Sequence, residues 1–398
     1  MEMNMNLVRG RIVCVLGLLA SCLLGSTLVY GQARLADQTA EKPLMAEQAF
    51  KNVQVLRGIP VKEFMETMGF FAASLSLTCS DCHSEASGSN WANYADDIPR
   101  KQTARRMVLM VNAINSANFG GARKVTCYTC HRTSPVPKVV PSLAAQYAVP
   151  SEEDPDEIEP VPGARVTVTA EQVLSKYVQA LGGAAALSKL TSFTGKGTYE
   201  GFDSDFGKVA FDIYAKAPNL RTTVVHMNGG DATTTFDGHE AWAAAPADLV
   251  PVPLVPLSGQ DLLGARLDAE LAFPAQIKQT LTDWRAGFPA VTLDGHDADV
   301  IEGKMGGTRI KLYFDKQTGL LVRQVRYVDT MVGTVTTHVV YSDYRPVAGV
   351  KVPFQWQLTW VDGQSTIKLT SVQPNAAIDA AKFAKPAVPS APSKSASK

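Results

Sequence analysis

Apolar side chains recur at three- and four-residue steps over 61–75, with Phe64, Met68 and Phe71 on one stripe, which predicts an amphipathic helix. Pro60 stands just ahead of it, where its fixed φ suits a first helical turn. A second stripe through Ala104, Met107, Val108, Val111 and Ile114 predicts a helix over 102–115, flanked by Arg105 and Arg106 and ended by Gly120-Gly121. A Met-bearing helix therefore occurs twice. Each is followed by Cys-x-x-Cys-His, at 79–83 and at 127–131, so the region reads as an internal repeat of one module.

Further along, the period changes. Val352, Phe354, Trp356, Leu358 and Trp360 alternate with Pro353, Gln355, Gln357 and Thr359, the spacing of a strand with one buried face. Residues 309–315 and 320–328 flank Lys316-Gln317-Thr318-Gly319, a hairpin, and further strands are expected over 208–215, 220–227, 333–344 and 365–372. Thr169-Ala170-Glu171-Gln172 matches a capping box opening a helix to about residue 180, and 257–281 is a further helical stretch that Pro274 must break or bend. The fold class expected is multidomain: a small all-α domain, then an α+β domain whose curved antiparallel sheet forms a half-barrel with helices on its concave side.

A chain of 398 residues exceeds what one core usually supports. The expected divisions are a leader over 1–33, a helical domain over 46–141, a linker over 142–165, the sheet domain over 166–386 and a disordered tail over 387–398. The linker contains Ser-Glu-Glu-Asp-Pro-Asp-Glu-Ile-Glu-Pro-Val-Pro, which is expected to stay solvated and extended; a docking strip for a basic partner is the alternative. In the leader, Arg9 and Arg11 precede an apolar run over 12–19, the layout of a secretory signal peptide. Cleavage near Gly31 or Ala33, lipidation of Cys22 in Leu19-Ala20-Ser21-Cys22, and an uncleaved anchor over 12–30 compete, and all three deliver the chain across a membrane. The 38 basic and 38 acidic residues cancel, so no nucleic-acid partner is implied.

Cys79, Cys82 and His83, and again Cys127, Cys130 and His131, form the attachment sequence for c-type haem. Two thiols one helical turn apart can each add to a vinyl group on one porphyrin edge, and the adjoining imidazole then faces the iron. A four-thiolate zinc site or a thiol redox couple needs no His after the second Cys. Two covalently bound haems c are therefore expected. Cys14 and Cys22 lie in the leader, which leaves no thiol for a structural disulfide. Met68 and Met107 are candidate axial thioethers, with Met65 and Met110 as rivals. The other histidines, His226, His239, His296 and His338, all lie in the sheet region.

Residues 51–56, the step from Glu63-Phe64 to Met68, Ala104-Arg105-Arg106-Met107 with Ala113-Ile114-Asn115, and 125–132 with Pro135 and Pro137 resemble the photosynthetic reaction-centre cytochrome c subunit. The resemblance covers about residues 50–141. It implies that Met68 lies opposite His83 and Met107 opposite His131 on the two irons, and that the protein is an electron carrier rather than an enzyme. It further implies a periplasmic, membrane-associated chain that re-reduces a photo-oxidised chlorophyll pair or serves another membrane complex. Members of that family typically carry four haems in two such pairs; this chain has one pair, and Thr133 stands where a Gly often follows His-Arg. The rival classes are a dihaem peroxidase, which needs an open iron position, and a lipid carrier. The runs 313–321, 341–344 and 349–354 look like the lipoprotein-carrier and lipoprotein-sorting half-barrels, which implies an acyl ligand in the concavity. Asp237-Gly238-His239-Glu240 has residue types suited to acid–base work but reads first as a turn.

Overall fold

The computed structural model describes residues 41–389 apart from 85, 86, 88, 89, 149–153 and 164. The expectations for the 1–33 leader, with Cys14 and Cys22, and for almost all of the tail lie outside the described residues. The described residues belong to one compact unit, Glu41–Lys398.

Alternating patterns and short connections give strands that pair with their sequence neighbours. They are β1 (Ser192–Gly201), β2 (Lys208–Lys216), β3 (Leu220–Met227), β4 (Gly230–Phe236), β5 (Ala241–Ala244), β6 (Leu254–Leu257) and β7 (Thr282–Arg285). The second half comprises β8 (Val291–Leu293), β9 (His296–Met305), β10 (Thr308–Asp315), β11 (Leu321–Asp329), β12 (Thr334–Val347), β13 (Val350–Trp360) and β14 (Gly363–Pro374). They form one antiparallel sheet in the order β6-β5-β4-β3-β2-β1-β14-β13-β12-β11-β10-β9-β7, with β8 beside β9. The first and last long strands meet: β1 pairs with β14 from Phe193↔Pro374 to Gly201↔Ser365. The outer strands β6 and β7 do not pair with each other, so the sheet is open, as expected of a half-barrel. Every strand read from the alternation is present, and β1 and β4–β9 are added to them.

The helices that matter here are α1 (Val61–Leu75), α2 (Cys79–Cys82), α3 (Pro99–Phe119), α4 (Cys127–His131), α5 (Ala170–Ala180) and α6 (Gly259–Ala272). Helix α3 runs longer than its apolar stripe because Pro99 starts it, and it stops at Gly120, whose φ of 59° is left-handed. Thr169 caps α5 as its capping box predicted. The stretch 257–281 breaks at Pro274, which opens a short 3₁₀ turn.

One face of the sheet is covered by α5 and α6. Leu174, Tyr177 and Leu181 from α5 and Leu267 from α6 are buried with Ile310, Leu312, Phe314 and Trp356. Between these helices and the strands is a cavity of about 90 Å³, lined largely by apolar side chains such as Leu181, Phe193, Leu271 and Trp356.

The opposite face of β10 and β11 is covered by the acidic segment, which corrects the expectation of a solvated linker there. Asp156 is only 3 % exposed. The Tyr313 hydroxyl donates to its Oδ1 at 2.9 Å, and Lys311 Nζ donates to its carbonyl at 2.8 Å. Lys311 also donates to the Ile158 carbonyl. Packed on both faces, β10 buries nearly every residue, Lys311 included.

Helix α1 is seated on the sheet. Its Phe70 is buried with Val328, Val332 and Val335 from the β11–β12 hairpin, in one cluster with Leu56, Val108 and Cys127. Two glycines allow that approach. A Cβ on Gly69 would lie 2.6 Å from Val361, and one on Gly333 would lie 2.3 Å from the Phe70 ring. Gly333→Ala is therefore expected to cost about 1–3 kcal/mol through overpacking. Urea unfolding reads the loss, and Gly333→Ala/Phe70→Leu should recover part of it; an unchanged midpoint would place α1 elsewhere. Nearby, the Glu66 carboxyl is pushed up to about 8 by burial and by Asp261 of α6 beside it.

Candidate haem-attachment sites

Each motif folds into a single capped helical turn. In the first, the Thr78 N–H and hydroxyl donate to Asp81 Oδ2 at 2.8 and 2.9 Å, fixing the entry to α2. Cys79 is exposed and Cys82 half-buried on that turn. In the second, the Thr126 N–H donates to Thr129 Oγ1 at 3.0 Å and caps α4. Cys130 is exposed, while Cys127 lies in the cluster that joins α1 to the sheet. Burial pushes the Cys127 thiol up to about 11, so it stays protonated and is a poor thiolate for zinc or disulfide exchange. Among the described residues no group of three or more His, Cys, Asp or Glu is gathered as a metal site, so the two thiol pairs do not converge.

The two imidazoles are held alike. His83 Nδ1 lies 3.1 Å from the Tyr94 carbonyl oxygen, and His131 Nδ1 lies 2.9 Å from that of Ser134. A carbonyl only accepts, so each Nδ1 carries the proton and each Nε2 offers its lone pair. Burial, then the charge of Lys101, holds His83 below the ordinary histidine range, which keeps the ring neutral and able to ligate. The Tyr94 ring also packs on His83, with centroids 4.7 Å apart, and Trp91 packs on Tyr94 at 5.0 Å.

Asn115 positions the second motif. It is buried, and its Oδ1 accepts from the Lys124 and Val125 N–H groups at 3.1 and 3.0 Å, while Nδ2 donates to the Val125 carbonyl at 2.8 Å. After the motif, Arg132 and Thr133 have φ of 47° and 63°. That left-handed backbone suits glycine, which gives a reason for Gly at the position Thr133 occupies. The Thr133 N–H donates at 3.0 Å to the Ser74 carbonyl in the last turn of α1.

Met68 and Met107 are half-buried on α1 and α3, and Met68 packs against the cluster around Phe70. The rival sulfurs point outward: Met65 is 37 % exposed and Met110 is 44 % exposed. Arg105 is paired with Asp97 at 2.8 Å, and Arg106 donates to Thr103 at 2.9 Å. His226 is taken by Asp231 at 2.8 Å and Asp212 at 3.3 Å, and His338 lies 3.1 Å from Asp156. Asp237 makes the expected turn, its Oδ1 accepting from the His239 and Glu240 N–H groups at 2.8 and 2.7 Å.

The sequence around these motifs has relatives. Residues 29–177 match the family of the photosynthetic reaction centre cytochrome C subunit. The photosynthetic reaction center cytochrome c subunit of Thermochromatium tepidum is 42 % identical over 111 residues, covering 26 % of this chain and 24 % of that protein. The subunit of the same name from Rubrivivax gelatinosus is 39 % identical over 100 residues, covering 24 % of this chain and 25 % of that protein. The chain thus spans about a quarter of the length of the curated relatives it matches. Solved structures align over about half of the chain. A LolA superfamily protein from Nitrosomonas europaea has a TM-score of 0.36 at 14 % identity, covering 55 % of this chain and 99 % of that one. A DUF1329 family protein from Desulfovibrio piger has a TM-score of 0.39 at 13 % identity, covering 55 % and 98 %.

The donor set of the two motifs fits haem c: two thiols on one turn and an imidazole whose Nδ1 carries the proton, twice over. The signals missed by sequence reading are Tyr94 and Ser134, which act through main-chain oxygens, and Asn115 as a clamp.

Proposed function

We propose that this chain is an electron-carrying c-type cytochrome that holds two haems covalently and works outside the cytoplasm, against a membrane. The repeated geometry carries this reading, since both motifs offer a thiol pair on one turn followed by an imidazole held through Nδ1. Haem c, when bound, supplies a one-electron iron couple. Cys79 and Cys82 hold the first group with His83 and Met68 on its iron; Cys127 and Cys130 hold the second with His131 and Met107. The capped turns fix where the thiols stand, the carbonyls of Tyr94 and Ser134 fix the ring orientation, and Cys127 is anchored in the buried cluster that joins α1 to the sheet.

Residues 46–141 are the haem-carrying part in this reading, and 166–386 are a half-barrel. Residues 154–161 between them are held on the sheet rather than hanging free. The partner proposed is a redox protein of a membrane complex, and the named relatives make a photosynthetic reaction centre the first to try. Re-reduction of flash-oxidised reaction centres by the purified chain is the direct test; no acceleration would favour a non-photosynthetic complex. An acyl chain is the ligand proposed for the half-barrel, entering at the apolar cavity under α5 and α6.

The intact mass of the purified chain is expected to exceed that of its polypeptide by two haems, and by one in Cys79→Ala/Cys82→Ala. A wild-type mass equal to the bare polypeptide would end this reading. Peroxide turnover at enzyme rates would replace the carrier with a peroxidase.

A further inference from the structure

We propose that Lys101 raises the reduction potential of the first haem above that of the second, acting through the main-chain carbonyl that it shares with His83. This rests on the dihaem reading above. The Tyr94 carbonyl oxygen accepts from His83 Nδ1 at 3.1 Å and from Lys101 Nζ at 2.7 Å, one donor for each of its lone pairs. Lys101 Nζ also donates to the Asp96 carbonyl at 3.1 Å, which is again main chain. Among the described residues no carboxylate pairs with the ammonium. Asp97, close by, is already held by Arg105 at 2.8 Å and by Asn52 at 2.9 Å. Asp96 and Asp97 act on the ammonium only through space, so a half-buried positive charge, hydrogen-bonded to no carboxylate among the described residues, stands behind the carbonyl that holds His83 Nδ1.

The second site lacks this device. The Ser134 carbonyl accepts from His131 at 2.9 Å, and among the described residues no lysine or arginine donates to it. The difference has a sign. Oxidation of the iron adds positive charge that spreads onto the ligating imidazole and makes its Nδ1–H a stronger donor. A carbonyl already holding an ammonium responds with a weaker bond, and the ammonium repels the added charge directly. Both effects disfavour the oxidised form. A single electron is then passed downhill from the second haem to the first. Lys101 is a positioning and tuning residue in this scheme, because it works on the iron through Tyr94 and His83.

The test is a spectroelectrochemical titration of the full chain with both haems attached, checked by intact mass. Wild type should give two waves, and Cys79→Ala/Cys82→Ala should delete the higher one, which assigns it to the first site. In Lys101→Met the reduction equilibrium of that wave should fall about tenfold, or about 59 mV for one electron, while the other wave stays in place. Lys101→Gln keeps a donor to the Tyr94 carbonyl without the charge and should fall the same way, which covers the case where Lys101→Met loses haem. Lys101→Arg should hold the wild-type value within about threefold. Deletion of the lower wave by Cys79→Ala/Cys82→Ala, unmoved waves in Lys101→Met and Lys101→Gln, equal shifts of both waves, or a Lys101→Arg that falls with the others would each overturn the proposal. A chain with no attached haem overturns the dihaem reading itself, and the mass measurement tells that failure from the rest.

Discussion

Met68→Ala is expected to remove the thioether absorbance of one haem near the red edge of the visible spectrum and to lower that haem's potential, whereas Met65→Ala leaves both haems as they were. The two sulfurs are three residues apart on α1, yet the helix turns Met68 toward the buried cluster and leaves Met65 facing water. A thioether is a soft, neutral ligand that favours reduced iron more than a second imidazole or a water does, so its loss lowers the potential. Met107→Ala should do the same to the other haem, with Met110→Ala as its silent control. Visible spectra and a redox titration decide the matter. If Met68→Ala and Met107→Ala both keep the wild-type spectrum, the thioether assignment fails while the covalent attachment stands.

What could be read in advance follows how local each signal is. The two haem motifs were legible because five consecutive residues carry the whole chemistry. Strand β13 was legible because one buried face imposes strict alternation on it. Strand β9 was not, since its Asp297, Asp299 and Glu302 look like loop residues. Glu302 is in fact 1 % exposed, held by Arg285 from β7 and faced by Arg309 from β10 at 3.9 Å. Strand β1 was hidden by Gly195 and Gly197, yet a Cβ at Gly197 would lie 2.1 Å from the Lys368 carbonyl of β14. The imidazole acceptors were illegible for a different reason: a main-chain oxygen leaves no trace in the residue type. The acidic segment misled because charge runs are usually solvated, and nothing local reveals that a distant strand holds a buried lysine for them.

That last case sets the largest expected loss of stability. Asp156→Ala should lower the unfolding free energy by about 3–5 kcal/mol, the cost of removing one partner from a buried charged cluster. Its carboxylate accepts from the Tyr313 hydroxyl at 2.9 Å and is faced by His338 at 3.1 Å and Arg323 at 3.6 Å, with Lys311 behind it on the main chain of the same residue. Alanine leaves Arg323 and Lys311 without that counter-charge, in a place where burial already pulls Lys311 below the ordinary lysine range. The segment 154–161 should then come off β10 and β11 and become open to limited proteolysis. Asp156→Asn keeps the shape and an acceptor for Tyr313, so it should fall between wild type and alanine. An exposed tether would respond differently, because a surface ion pair is worth about 0–1 kcal/mol. Denaturant unfolding of the three proteins therefore separates a strap from a linker, and an alanine loss of under about 1 kcal/mol would return the segment to solvent.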